Sequence, residues 1–334
     1  MASTDSPGDS PGPSIRRLTE SDLAHCLALS DAAQWNQNEA DWRMMLALGH
    51  GWGIDWSHRQ DGQDGQRLDR LDRADGADGQ DGSNGRQSAA VLAASIVVIP
   101  YRRRPDATRG NGGAGHAWIS MVLVLPDARR RGYARQLLRH ALDFLAAESL
   151  TPVLDATPAG YPVYLKEGFS AAAGLRRFRR EALSLDPMAA AAPRSRRITE
   201  RDWPALMAYD APAFGADREP LLRRLAERLP DAGRLTEQDG RITGFVLGRD
   251  GREACQIGPL VADDTATART LLGDALATVP NPIVLDLADQ HLVLLEELVA
   301  RGFVLQRPFT RMVLGDAAPG DPSQVVLMAG PELG

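Results

Sequence analysis

The sequence has little of what several classes of protein require. Aromatic residues make up 5% of the 334 residues, so few rings are present on which nucleic-acid bases stack. The formal net charge is −6, whereas nucleic-acid-binding domains are usually basic. No apolar run approaches the roughly 18 residues of a membrane span, and the start of the chain lacks the features of a signal peptide. These absences predict a cytoplasmic protein that binds neither nucleic acid nor membrane.

Cysteine is equally scarce. The two cysteines, Cys26 and Cys255, lie far apart and match neither a disulfide framework nor a zinc-ligand spacing. We therefore expect two free thiols in a reducing compartment and no bound metal.

The length and an internal repeat indicate two units. A chain of 334 residues exceeds one typical domain core. Three phrases of the first half recur in the same order in the second: RRLTESD (16–22) as RRITERD (196–202), PVLDATP (152–158) as PIVLDLAD (282–289), and EGF (167–169) as RGF (301–303). Such an ordered recurrence is the signature of a duplicated α/β unit.

Composition divides the chain into segments. We expect a disordered N-terminus at 1–14, a first unit at 15–187, a linker at 188–195, a second unit at 196–316 and a tail at 317–334. Residues 59–87 repeat Asp-Gly pairs and have too few apolar residues to offset the entropy of ordering, which predicts a disordered insert. A calcium loop is the alternative, but the segment lacks the ligand spacing of an EF-hand.

Residues 122–142, VLVLPDARRRGYARQLLRHAL, combine a strand, a sharp turn, an Arg-rich loop and an amphipathic helix. Backbone N–H groups at the start of a helix lack partners, and the helix dipole adds positive potential there. Gly132 and Ala134 are small enough for a phosphate to approach, and the arginines 129–131 supply positive charge. The segment therefore predicts an anion-binding loop.

This loop resembles the R/Q-x-x-G-x-G/A motif with which GNAT N-acyltransferases bind the pyrophosphate of acyl-CoA, because Arg129, Gly132 and Ala134 fill its positions. Downstream, YLKEGF (164–169) matches the family's Y-x-K-x-G-F ending. The whole chain looks like a tandem GNAT protein. The resemblance implies an α/β (α+β) fold of two tandem GNAT units, each with a mixed, mostly antiparallel central sheet flanked by helices.

The resemblance also implies a function: direct transfer of an acyl group, by default acetyl, from acetyl-CoA to a primary amine of a small molecule or peptide. Tyr164 takes the place of the family's usual general acid. The implied cofactor contacts are Val122, Val124, Arg129, Arg130, Arg131, Gly132, Tyr133 and Ala134. The alternative is a regulatory protein that binds acyl-CoA without turnover. Either one is expected as a monomer or homodimer.

The general base and the acceptor contacts are less defined. The central strand at 118–124 carries no carboxylate, which leaves Asp155, Glu39, Asp41 or a chain of waters as the base, and we name Asp155. Trp35, Asn36 and Arg218 are the candidates for acceptor binding. The planar guanidinium of Arg218 would suit a carboxylate or phosphate.

Two departures from the family pattern lead to further expectations. Arg130 stands where many members have glycine, so we expect a negative φ there. In the second unit Asp263 aligns with Arg129, Ala266 with Gly132 and Leu298 with Tyr164. We therefore expect a degenerate second unit that shapes the acceptor site.

Overall fold

The computed structural model describes residues 14–56, 91–103, 115–181, 193–315 and 318–334. The expected N-terminal segment up to residue 13, the expected insert at 59–87 and residues 188–192 of the expected linker lie outside these ranges.

The first unit alternates helices and strands. Its strands are β1 (Ile15–Arg17), β2 (His50–Trp56), β3 (Val91–Arg102), β4 (Gly115–Val124), β5 (Thr151–Ala156) and β6 (Ser170–Arg180), and its helices are α1 (Leu23–Ala32), α2 (Glu39–Leu48), α3 (Tyr133–Ala147) and α4 (Tyr161–Lys166). A capping box between Thr19 and Asp22 precedes α1, and one between Asn38 and Asp41 starts α2, so side chains satisfy the free amides at both starts.

The second unit repeats this order. Its strands are β7 (Arg196–Arg197), β8 (Arg234–Gln238), β9 (Arg241–Arg249), β10 (Cys255–Ala262), β11 (Ile283–Ala288), β12 (Val304–Val313) and β13 (Val325–Leu327), and its helices are α5 (Trp203–Phe214), α6 (Glu219–Arg228), α7 (Thr265–Leu276) and α8 (Leu295–Ala300). The predicted duplication is confirmed, including the capping box, which recurs between Thr199 and Asp202.

The described strands form one 13-stranded sheet in the order β1-β2-β3-β4-β5-β12-β6-β11-β13-β10-β9-β8-β7. Its pairings are antiparallel except for β4 with β5 and β10 with β11, which are parallel. Helices flank the sheet, so the predicted fold class is confirmed.

The two units exchange their last strands. Strand β12 of the second unit pairs with β5 of the first, with Met312 opposite Leu154. Strand β6 of the first unit pairs with β11 of the second, with Phe178 opposite Leu285, and the two exchanged strands also pair with each other. The sequence predicts two self-contained sheets, whereas in the structure each unit completes the sheet of the other.

Residues 318–334, expected as a tail, are part of the fold. Strands β10 and β11 pair directly only where residues 255–257 face 283–285. Beyond that point β13 lies between them, and Leu327 pairs with both Leu260 and Leu287. This segment therefore fills the space between the parallel strands of the second unit.

The two faces of the first unit's sheet carry different cores. Leu154 and Ala156 pack with the buried side of α3, and we call this the α3 face. Val153, Leu175 and Phe309 pack with α1 and α2 on the opposite, α1/α2 face. No helix within the described ranges is both long and apolar enough to cross a membrane.

Candidate active site

The parallel strands β4 and β5 separate along their length. They pair where residues 116–118 face 151–153 and diverge beyond Trp118. A β-bulge in β4 accompanies the divergence: the register with β3 shifts between Ser95 and Val97, and Met121 adopts a φ of +50°. The Ser95 hydroxyl donates to the Met121 carbonyl over 2.8 Å and holds the bulge in place. The divergence opens a cleft between the two strands.

A cavity of about 880 Å³ occupies this cleft. Its lining includes residues 119–124 of β4, the loop and first turn of α3 at 128–130 and 132–135, residues 154, 155, 157–160, 163 and 164 around β5 and α4, and residues 32, 33, 35, 37, 177, 307, 309, 331 and 332. Ten of the predicted site residues lie together here: Trp35, Val122, Val124, Arg129, Arg130, Gly132, Tyr133, Ala134, Asp155 and Tyr164.

The loop before α3 has the geometry of an anion cradle. Gly132 precedes the helix at a φ of +82°, and Tyr133, Ala134 and Arg135, which line the cavity, form its first turn. Amides of a first helical turn have no carbonyl partner within the helix, so they remain available to a ligand. Arg130 has a φ of +63°, contrary to the expected negative value. A left-handed conformation costs a non-glycine residue about 1–2 kcal/mol, which explains why glycine suits this position.

Arg131 is oriented differently from the other two arginines of the loop. Its guanidinium lies 4.9 Å from the ring centroid of Trp56, and the residue does not line the cavity within the described chain. The expectation that it contacts the cofactor is therefore not supported.

Tyr164 projects from α4 into the cavity. Its ring meets Phe169 edge-on, with centroids 5.9 Å apart, and no described residue forms a hydrogen bond with its hydroxyl. Burial raises the pKa of Tyr164 to about 12, so the hydroxyl keeps its proton at neutral pH. A Cβ on Gly160 would lie 3.1 Å from the Tyr164 ring, so glycine leaves room for it.

Asp155 lies at the cavity, but its carboxylate is engaged. Both oxygens accept hydrogen bonds from Arg311, at 2.9 and 3.0 Å, and the carboxylate is completely buried. Arg311 in turn lies 4.5 Å from the ring centroid of Trp118. Burial raises the pKa of Asp155, while the guanidinium of Arg311 opposes that rise. A carboxyl with a raised pKa is the stronger base.

The other carboxylates considered as bases lie elsewhere. Glu39 is half exposed and pairs with Arg43 on the surface of α2. Asp41 is buried between Arg228 and Arg249. Neither lines the cavity, so the structure does not support a catalytic role for either.

Two predicted acceptor residues are structural instead. The side-chain oxygen of Asn36 accepts from the amides of Glu253 and Ala254, which joins the two units. Arg218 is completely buried, donates to both oxygens of Asp210 at 2.8 and 2.9 Å, and is not part of the cavity lining. Because Asp210 already occupies its guanidinium fork, Arg218 is not available to bind a substrate anion, and that expectation is wrong.

The structure adds residues to the cavity that the sequence analysis missed: Gln37, Ser120, Arg177, Arg307, Phe309 and Glu332. Gln37 directly follows Trp35 and Asn36, two predicted acceptor residues, so its place in the sequence could have indicated that it lies at the cavity. The last four reach the cavity through the strand exchange and residues 318–334, and no local pattern indicates that placement.

The corresponding cleft of the second unit is closed. Strand β13 lies between its parallel strands, and Asp264 caps α7 by accepting the amide of Thr267 at 2.7 Å. Leu298, the counterpart of Tyr164, is completely buried. Strand β13 fills the space that a ligand would need, and the negative charge of Asp264 at the start of α7 repels a phosphate. Within the described ranges, no group of three or more acidic, histidine or cysteine side chains is placed to hold a metal.

Comparisons with known proteins agree with this architecture. The profile of the Acetyltransferase (GNAT) family matches residues 84–169, and that of the Acetyltransferase (GNAT) domain matches residues 206–326. The N-acetyltransferase YitH of Bacillus subtilis, itself uncharacterised, is 27% identical over 186 residues. That alignment covers 55% of this chain and 65% of YitH, so the chain matches less than two thirds of its relative.

Solved structures show the same fold. A Pyrococcus horikoshii protein assigned to the acetyltransferases is 18% identical, with a TM-score of 0.70 over 99% of each chain. A tandem GNAT protein from the clavulanic acid biosynthesis pathway is 13% identical, with a TM-score of 0.52 over 91% of this chain and 99% of its own. With a GNAT match in each half and a tandem GNAT structure that aligns with nearly its whole length, this chain belongs to the GNAT acetyltransferase family as a tandem member.

Proposed function

We propose that the first unit transfers an acyl group, by default acetyl, from acetyl-CoA to a primary amine of a small molecule or peptide. The observation that carries this proposal is the open cleft between β4 and β5, where an anion cradle and the free hydroxyl of Tyr164 line the same cavity. The described residues of the second unit have neither feature, so we assign this unit a supporting role.

In this proposal acetyl-CoA lies along the cavity, with its pyrophosphate at the start of α3 and its thioester near Tyr164. The first turn of α3 and the side chains of Arg129 and Arg130 bind the pyrophosphate through free amides and positive charge. The pantetheine arm lies along β4 beyond the bulge, where the backbone at Val122 and Val124 supplies hydrogen bonds. This places the thioester in the cleft, toward Tyr164.

The reaction then needs one group of this chain to accept a proton and another to donate one. An alkylamine has a pKa of about 10.4, so it enters as an ammonium ion and gives a proton to Asp155, directly or through water. The nitrogen attacks the thioester carbonyl, the carbon–sulfur bond breaks, and Tyr164 donates its proton to the departing thiolate. A second proton from the nitrogen restores the Tyr164 hydroxyl through water.

The test is steady-state release of free CoA thiol from acetyl-CoA with a panel of primary amines. We expect turnover by the wild type and a kcat lowered by roughly 10²-fold in Tyr164→Phe, with unchanged affinity for acetyl-CoA. Binding of acetyl-CoA without thiol release for any amine would favour the acyl-CoA sensor instead. A wild-type kcat in Tyr164→Phe, with chemistry rate-limiting, would exclude Tyr164 as the acid.

A further inference from the structure

The charges on the α1/α2 face of the cavity are almost all compensated. Arg177 donates to both oxygens of Asp286 at 2.8 Å. Arg311 holds Asp155 in the same way, and Glu332 pairs with the buried Arg249. Each of these three guanidinium groups already has a carboxylate partner, so none of them is available to a ligand anion.

Arg307 is the exception. It lines the cavity from β12, and no described residue forms a hydrogen bond or ion pair with its guanidinium. Its Nε is buried without a partner, and its nearest described ring is that of Phe309, with a centroid 5.7 Å away. Burial and the neighbouring Arg177 lower the pKa of Arg307. The carboxylates of Asp286 and Glu332 oppose that shift, but they pair with other arginines and not with Arg307. Arg307 is half-buried, and a guanidinium withdrawn from water normally has an anionic partner.

Two further polar atoms of the cavity lack partners. Gln37 Oε1 and Ser120 Oγ are buried and make no hydrogen bond within the described chain, although their residues are only 2% and 7% exposed. Buried polar atoms are normally paired, and a ligand that enters the cavity can supply the missing partners. An amine N–H is the donor that the Gln37 oxygen lacks.

The position of Arg307 separates it from the CoA phosphates. Alternate residues of a strand point to the same face, so Arg307 lies on the α1/α2 face with Phe309 and Arg311. Asp155, which is paired with Arg311, lies on that face too. The phosphate loop leads into α3, which packs on the other face of the sheet. An anion at Arg307 therefore comes from the acceptor.

We propose that the acceptor carries an anionic group, carboxylate or phosphate, beside its primary amine, and that Arg307 binds this group. Gln37 and Ser120 then hydrogen-bond to the amine end. The inference rests on the proposed function and narrows its substrate class to amino acids or amino phosphates. Because Arg307 lies on an exchanged strand, the second unit supplies the acceptor specificity of the first.

The experiment compares matched acceptors that differ in the anion: phenylalanine with phenethylamine, and phosphoethanolamine with ethanolamine. Wild type, Arg307→Gln and Arg307→Lys are assayed at saturating acetyl-CoA. The control is Arg176→Gln, because Arg176 lies on the adjacent strand β6, pairs with Asp289 and does not line the cavity. The first pair tests for a carboxylate and the second for a phosphate.

We expect the wild type to prefer one acceptor that carries an anionic group over the matched amine that lacks it. Arg307→Gln then raises the KM of that acceptor by about 10- to 100-fold, the range for a charged hydrogen bond, and changes kcat little. Arg307→Lys restores part of the affinity, and Arg176→Gln behaves as wild type. Equal use of acceptors with and without the anionic group, or an unaltered KM in Arg307→Gln, would overturn the inference while leaving acetyl transfer in place.

If no amine is turned over, the proposed function fails and binding decides the inference separately. N-acetylphenylalanine and N-acetylphosphoethanolamine are titrated calorimetrically into the CoA complex. Binding by the wild type that is lost in Arg307→Gln supports the anion site. No binding, or equal binding by the variant, refutes it.

Discussion

The ion pair between Asp155 and Arg311 joins β5 of the first unit to β12 of the second. Its two hydrogen bonds measure 2.9 and 3.0 Å, and the side chains are 0% and 16% exposed. Replacing Arg311 with methionine removes the cation and leaves the carboxylate of Asp155 in a buried site. We expect this change to destabilise the protein through the uncompensated charge.

The size of the loss in stability follows from the burial of this ion pair. Removing one partner of a buried ion pair costs about 3–5 kcal/mol in the free energy of unfolding, which lowers the Tm of a chain of 334 residues by roughly 4–7 °C. The pKa of Asp155, already raised by burial, rises further when Arg311 is absent. The folded state then binds a proton more readily than the unfolded state, so the deficit of Arg311→Met shrinks as pH falls through that pKa.

Urea and thermal unfolding of the wild type, Arg311→Met and the double variant Asp155→Leu/Arg311→Met measure these effects. Replacing both partners with apolar side chains removes the buried charge, so the double variant should recover most of the stability. An Arg311→Met protein with wild-type stability at neutral pH would show that the ion pair between Asp155 and Arg311 does not stabilise the contact between the units. A double variant no more stable than Arg311→Met would refute its electrostatic origin.

Three further predictions follow from the same structure. Because burial raises the pKa of Tyr164 to about 12, kcat should show no alkaline loss from this group up to about pH 10, and a fall that Tyr164→Phe abolishes would contradict the assignment. A chain ending at residue 187 lacks both neighbours of β6, so circular dichroism and size exclusion should find no folded monomer; a folded one would contradict the strand exchange. Arg130→Gly removes the cost of a φ of +63° and should raise the free energy of unfolding by up to about 1 kcal/mol, whereas a loss of stability would contradict the strain.

Features that depend on local sequence could be predicted. The capping box at Thr19, the anion loop before α3 and the α4 tyrosine each occupy a few adjacent residues, and their backbone geometry follows from those residues. The recurrence of RRLTESD, PVLDATP and EGF in the second half of the chain also predicted two units of one fold.

Features that depend on pairing between distant segments could not be predicted. Strands β6 and β12 are copies of one element, and either fits beside β5 by its own pattern, so the exchange is decided by tertiary packing. The same limit applies to Arg218 and Arg307, because residue type alone does not reveal ion pairing. Arg218 pairs with Asp210, whereas Arg307 has no ionic partner among the described residues. The φ of Arg130 was missed because arginine seldom adopts a left-handed conformation.

We propose that the open cleft of the first unit is an acetyl-CoA site and that the second unit has none. Calorimetric titration of acetyl-CoA into the wild type, Gly132→Glu and Ala266→Glu tests it directly. Ala266 is the exposed counterpart of Gly132 in the second unit, so it receives the same charge and bulk. We predict one site per chain, abolished in Gly132→Glu and unchanged in Ala266→Glu. Two sites per chain, or unaltered binding in Gly132→Glu, would contradict a single acetyl-CoA site in the first unit.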